Sequence, residues 1–173
     1  MADRTTLMRG NALPLVGPEL HVGDPAPDFH LHQRGPEGLK VISLADFAGK
    51  TLLISSAFSL ETPICEMATR RFNDEAISLP TDVDVVVVSM DLPFAQARFS
   101  SEKGMHQISA ASDHRDASFG VAYGVLIEPL RLLSRAVFVV GTDGLIKHVE
   151  YVPEVTQEPD YETALSVARQ PID

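Results

Sequence analysis

Apolar and polar positions change rhythm several times along the chain, and each change predicts an element. "TLLISSAF" (Thr51–Phe58) is almost continuously apolar and suits a buried strand. From Pro63 to about Ala76 apolar residues fall four apart, at Ile64, Ala68 and Phe72, which predicts a helix. Thr62 suits its N-cap, and Pro63 its first helical position, where a missing N–H costs nothing. "DVVVVSMD" (Asp84–Asp91) is a β-branched run of the kind found in parallel strands covered on both faces. A second helix is predicted from Pro93 to about Lys103, with Phe94, Ala97 and Phe99 or Ser101 inward and Gly104 as its stop.

The flanking regions read more coarsely. Gly10, Pro14, Gly17, Pro18, Gly23, Pro25 and Pro27 punctuate the first thirty residues, with extended pieces such as Thr5–Met8 that predict an N-terminal hairpin. Asp28–Gln33 alternates as a strand would, Phe29 and Leu31 on one side and His30 and His32 on the other. "SLADFAGK" reads as a helical turn capped by Ser43 and ended by Gly49. Ala136–Val140 and Leu145–Val152 flank a Gly141–Gly144 turn and predict a hairpin. A last helix begins near Pro159-Asp160, with Tyr161, Ala164, Leu165 and Ala168 on one face. A βαβ unit followed by ββα predicts an α/β fold of thioredoxin-like type: a mixed central sheet flanked by helices, preceded by the hairpin. Residues 1–173 are expected to form a single such domain, a length that buries about 70% of the unfolded surface.

Composition narrows the function. The net charge of −10 argues against a general nucleic-acid binder, since phosphate contacts need clustered Lys and Arg. No apolar run approaches the roughly 20 residues of a membrane span, and "MADRTTLMRG" lacks the apolar core of a secretory signal. A single cysteine, Cys65, forms no intramolecular disulfide, so a cytoplasmic, reducing setting is the default. "AGKT" is not a P-loop, because that motif requires glycine where Leu44 stands. His30 and His32 lack a third metal ligand nearby and read as a solvated strand face. No metal or cofactor is implied. Asp84, Asp91, Asp113 and Asp116 flank strands and loops and read as caps or solubilising groups.

Cys65 is the candidate for chemistry. Open α/β sheets place ligands outside the carboxyl ends of their strands. The Ser59–Thr62 loop puts Cys65 there, in the first helical turn, where unpaired N–H groups and the helix dipole favour a thiolate. Thr62 lies three residues earlier, its hydroxyl able to donate to the sulfur or to a bound oxygen. Position alone leaves an inert buried cysteine as an equal alternative. Glu66 opposes the thiolate, and an i,i+4 pair with Arg70 is expected to draw its charge away; Arg70 and Arg71 read as a solvated face.

"SLETPICEMATRRFNDEA", "DLPFAQARF" and "YVPEVTQEPDYETAL" resemble the active-site segment, second helix and C-terminal segment of the thiol peroxidases, a bacterial branch of the peroxiredoxins. The likeness runs from about Thr6 to Val167. It implies a thioredoxin-like fold, a homodimer, and reduction of hydrogen peroxide and alkyl hydroperoxides through a cysteine sulfenic acid. By the resemblance Cys65 is the peroxidatic cysteine, Thr62 the threonine beside it, and Arg135 the arginine that holds thiolate and peroxide, with Phe58 and Pro63 at the pocket. Without it, Arg135 reads as a surface arginine at a strand end.

Two positions depart from the family pattern. Phe58 stands where a shielding proline is usual, and Ser100 stands where the resolving cysteine follows "DLPFAQARF". Ser101 also replaces a usual glycine, which favours a natural one-cysteine member over an engineered one. A serine cannot close a disulfide, so the reductant is expected from outside: thioredoxin, a small thiol, a partner protein or Cys65 of a second subunit. The rival reading is a peroxide sensor, or an impaired paralogue serving as an interaction module.

Overall fold

The computed structural model describes residues 3–170. The strands are β1 (Thr5–Met8), β2 (Asn11–Val16), β3 (Leu31–Gly35), β4 (Gly38–Ile42), β5 (Thr51–Ser56), β6 (Val83–Ser89), β7 (Ser109–Ser112), β8 (Leu126–Ile127), β9 (Leu132–Leu133), β10 (Ala136–Val140) and β11 (Ile146–Tyr151). The helices are α1 (Pro63–Ala76), α2 (Pro93–Lys103), α3 (Ser118–Ala122) and α4 (Tyr161–Arg169), with a 3-10 turn at Leu44–Phe47.

The β-branched run of β6 sits at the centre of a seven-stranded sheet ordered β11-β10-β5-β6-β7-β3-β4. β6 runs parallel to both β5 and β7, and Val85–Val88 are buried, as a run apolar on both faces requires. The remaining pairings in this sheet are antiparallel, including the predicted β10–β11 hairpin. β1 and β2 form the N-terminal hairpin, and β2 continues through β8 to β9 as a smaller sheet. This is the mixed, helix-flanked thioredoxin-like arrangement expected from the pattern.

Alternate residues of the large sheet face two cores. On one side Phe138 meets Tyr123 edge-on at 5.1 Å, and Tyr123 stacks on Phe119 at 4.4 Å, with Phe29 and Leu31 beside them. On the other, Leu53, Val137 and Val139 pack against Phe72 of α1 and Ala164, Leu165 and Ala168 of α4. Gly17 and Gly124 let β2's exit and the end of α3 close on each other. At Gly124, φ is +69° and an added Cβ would lie 1.9 Å from the Pro18 carbonyl oxygen; at Gly17, φ is +99° and it would lie 1.9 Å from that of Val121.

Three expectations are corrected. The strand expected from Asp28 begins at Leu31, because the N–H groups of Phe29 and His30 are taken by Asp28 Oδ1 and Ser118 Oγ instead of a ladder. His32 is buried, not solvated, since β3 lies between β4 and β7 and His32 pairs with Val41 and Ser112. In α2, Phe94 points to solvent at 56% exposure, while Gln96 turns inward and donates to Ser89 Oγ and the Ala111 carbonyl. The strands β4, β7, β8 and β9 and helix α3 have no counterpart in the sequence reading. "SAAS" of β7 contains no β-branched residue and becomes a strand by completing the β6 ladder.

Candidate active site

β5 ends at Ser56, and its ladder to β6 is extended once more by Ala57 N–H donating to the Val88 carbonyl. The chain then leaves the sheet through Phe58–Glu61. Thr62 occupies the N-cap of α1 in extended conformation and Pro63 the first helical position, as the sequence predicts. The Thr62 side chain does not cap the helix. Its hydroxyl donates back to the Ser59 carbonyl at 2.8 Å, to which the Thr62 N–H also donates. The expected donation to the sulfur or to a bound oxygen is thus corrected, since Ser59 takes the hydroxyl hydrogen, and the oxygen lone pairs are left free of the helix N–H groups.

Cys65 lies in the first turn of α1 and is fully buried, packed with Ala57, Leu60, Val87, Phe99 and Met105. Arg135, between β9 and β10, comes to the same place. Its Nη2 lies 3.2 Å from Cys65 Sγ and also donates to the Val155 carbonyl at 2.8 Å. Arg135 is only 2% exposed, and no carboxylate of the described residues forms an ion pair with it. Its Nε–H has no hydrogen-bond partner among the described residues. A buried guanidinium without a carboxylate is costly, and the Cys65 sulfur is the side-chain atom it contacts.

Beside this pair a cavity of about 420 Å³, mostly apolar, is lined by Phe58, Thr62, Pro63, Arg135, Val155 and the hairpin turn at Met8-Arg9. Glu154 pins that turn by accepting from the N–H groups of Arg9 and Gly10. The structure thus brings together Cys65, Arg135, Thr62, Phe58 and Pro63. It separates Ser100, which lines a different cavity with Arg34, Lys40, Gln96 and Ala97.

The expected Glu66–Arg70 pair is replaced. Glu66 pairs with Lys103 of α2 at 3.1 Å, while Arg70 donates to the Lys103 carbonyl, because α2 lies close enough to supply a better-placed cation. Arg71 fits its solvated reading, pairing with Glu75 and Glu162 and lying over the Tyr161 ring.

The sequence reading missed the polar support of the loop. The Asp91 carboxylate accepts from the hydroxyls of Ser59 and Ser89 and from the Leu60 N–H. A signal existed: Asp91 follows β6 at the same carboxyl edge of the sheet as the Ser59 loop.

A thiol and a buried guanidinium at a helix N-terminus on a thioredoxin-like sheet define a cysteine-based redox protein of the peroxiredoxin class. The chain belongs to the redoxin family, whose model matches residues 21–165, and within it to the thiol peroxidase branch of the peroxiredoxins. It is 48% identical over 161 residues to the thiol peroxidase of Halalkalibacterium halodurans, covering 93% of this chain and 95% of that one. To the thiol peroxidase of Bacillus subtilis it is 47% identical over 169 residues, 98% of each chain. A solved structure of a peroxiredoxin-like protein from Aquifex aeolicus superposes with a TM-score of 0.83 at 38% identity over 95% of both chains. A thiol peroxidase from Chromobacterium violaceum shares the fold, with a TM-score of 0.81 at 23% identity over 94% of both chains. Peroxidase chemistry carried by a peroxiredoxin-type enzyme is the class these relatives define.

Proposed function

We propose that the chain reduces hydrogen peroxide and alkyl hydroperoxides through a sulfenic acid at Cys65. The thiolate attacks the terminal oxygen of the hydroperoxide and the O–O bond breaks. Cys65 is oxidised to the sulfenic acid, and the remaining oxygen leaves as an alcohol, or as water, after taking a proton. The carrying observation is the 3.2 Å contact between Arg135 Nη2 and Cys65 Sγ inside the protein. The same guanidinium presents fixed donors to the negative charge that develops on the leaving oxygen. Thr62, donating its own hydrogen to Ser59, offers lone pairs that accept the hydroperoxide O–H.

Ser100 supplies no thiol, so the sulfenic acid condenses with an external one, releasing water and forming a mixed disulfide. A second thiol then regenerates Cys65. A thioredoxin-type reductant is the reading the family supports. A homodimer and a cytoplasmic setting, both implied by the resemblance, belong to the same proposal, as does a single domain over residues 1–173.

The test is oxidation of Cys65 by stoichiometric peroxide, followed by mass spectrometry, with thioredoxin or small thiols added afterwards. Rapid oxidation and thiol-driven recovery are expected. Oxidation no faster than that of free cysteine would overturn the reading, and rapid oxidation without recovery would favour a peroxide sensor.

A further inference from the structure

Asp91 is only half-buried, yet three neutral donors converge on its carboxylate and no cation of the described residues pairs with it. Ser59 Oγ donates to Oδ1 at 2.9 Å; Leu60 N–H and Ser89 Oγ donate to Oδ2 at 2.9 and 2.7 Å. The residue is itself immobilised. Its N–H donates to Ser89 Oγ, which also receives Gln96 Nε2 at 3.0 Å, and its carbonyl accepts from Ser112 Oγ at 2.6 Å. Asp91 is thus tied to β6, β7 and α2, and reaches across the carboxyl edge of the sheet to the loop after β5.

That loop carries the group that matters. Ser59, held by Asp91 through its hydroxyl, presents the carbonyl that takes both the N–H and the hydroxyl hydrogen of Thr62. The Thr62 carbonyl in turn accepts from Glu66 N–H in the first turn of α1. We propose that Asp91 is a positioning residue for peroxide: by clamping Ser59 and Leu60 it fixes the carbonyl that turns Thr62 Oγ1 into an acceptor facing the cavity. This rests on the reading of Thr62 as a peroxide-holding group. Asp91 does not touch substrate; it acts through Ser59 and Thr62.

The experiment compares wild type, Asp91→Ala, Thr62→Val and the double variant. Two rates are read: oxidation of Cys65 by cumene hydroperoxide, and alkylation of Cys65 by iodoacetamide, which needs no held peroxide. Misplacement of a positioned group by about 1 Å can cost on the order of 100-fold. Asp91→Ala is therefore expected to slow oxidation about 10- to 100-fold, with alkylation within about twofold of wild type. The double variant is expected to be no slower than Thr62→Val alone, since Asp91 acts through Thr62.

Multiplicative losses in the double variant, unchanged oxidation in Asp91→Ala, or parallel changes in oxidation and alkylation would overturn the proposal. Should Asp91→Ala fail to fold, Asp91→Asn, which keeps one of the two oxygen acceptors, is read by the same two rates: oxidation slowed about three- to tenfold at unchanged alkylation is expected, and unchanged oxidation overturns the proposal. Slow oxidation of the wild type would instead refute the underlying peroxidase reading.

Discussion

Arg135 Nη2 and Cys65 Sγ stand 3.2 Å apart in a region where the cysteine is fully buried and the arginine nearly so. The Val155 carbonyl accepts from the same nitrogen at 2.8 Å and fixes its direction. A cation placed this deep without a carboxylate of the described residues costs stability, so its presence points to chemistry more than to folding.

Replacing it separates the two roles. Arg135→Met removes a buried guanidinium that no carboxylate of the described residues pairs with, which relieves a desolvation penalty on the order of a few kcal/mol. It also orphans the Val155 carbonyl, a cost of about 1–3 kcal/mol. The two offset each other, so the urea midpoint is expected to move little. Oxidation of Cys65 in stopped flow should fall by about 100- to 1,000-fold, the scale of a lost transition-state donor. A variant that keeps the wild-type rate would remove Arg135 from the mechanism.

Ser100→Cys tests the missing thiol. Phe99 packs in the cluster around Cys65, while Ser100 lines the other cavity beside Gln96 and Arg34. A disulfide needs Cα atoms about 4.4–6.8 Å apart and converging Cβ vectors, and residue 100, which lines the other cavity, meets the second condition only if α2 rearranges locally. After one equivalent of peroxide, an intramolecular disulfide is expected by mass, with lost hydrogen-exchange protection in α2. A persistent sulfenic acid in that variant would speak against the alignment of Ser100 with a resolving position.

Much of the frame was legible because it depends on local rules. Pro63 at the first helical position and Gly104 in the left-handed region bound their helices as local backbone rules require, and the Val85–Val88 run could be accommodated only in the middle of a sheet. What could not be read were the partners fixed by tertiary packing. Lys103 took Glu66 from Arg70 because α2 lies against α1, a fact no spacing encodes. Arg135 followed from family resemblance alone, since 70 residues separate it from the sulfur it touches. Asp91 lay at the right edge of the sheet, but its value depends on the path of the Ser59 loop, and an Asp at a strand end reads by default as a solubilising group.

Phe58 is half-buried and forms part of the cavity wall. Truncation to Ala costs less than the approximately 3–5 kcal/mol of a fully buried phenylalanine. The consequence for selectivity is directional. Hydrogen peroxide has no apolar surface to lose, whereas cumene hydroperoxide does. Phe58→Ala should therefore lower kcat/KM for cumene hydroperoxide about tenfold more than for hydrogen peroxide. An opposite shift in the ratio would identify Phe58 as an obstruction instead of a wall.

Asp113 gives a pH dependence whose sign can be stated. Its side chain is buried, and burial raises its pKa to about 6, against the pull of hydrogen bonds from Gly120 and Phe119 N–H and from Ser118. A folded pKa above the ordinary carboxylate value of 3.8 means the folded state binds this proton more tightly than the unfolded state. Its contribution is then present in full below about pH 4 and is lost as pH rises towards 6, with at most about 3 kcal/mol at stake. Asp143 and Asp160 run the other way. Hydrogen bonds from Lys147 and Thr163 hold their carboxyls below the usual range, and the stability they contribute is lost as pH falls. The signature of Asp113 is therefore a difference between proteins. Measured by urea unfolding from pH 3 to 7, Asp113→Asn should lack a decline in stability that wild type shows between pH 4 and 6, while changes below pH 4 coincide. Parallel curves across the whole range would assign the buried carboxyl a pKa near its ordinary value.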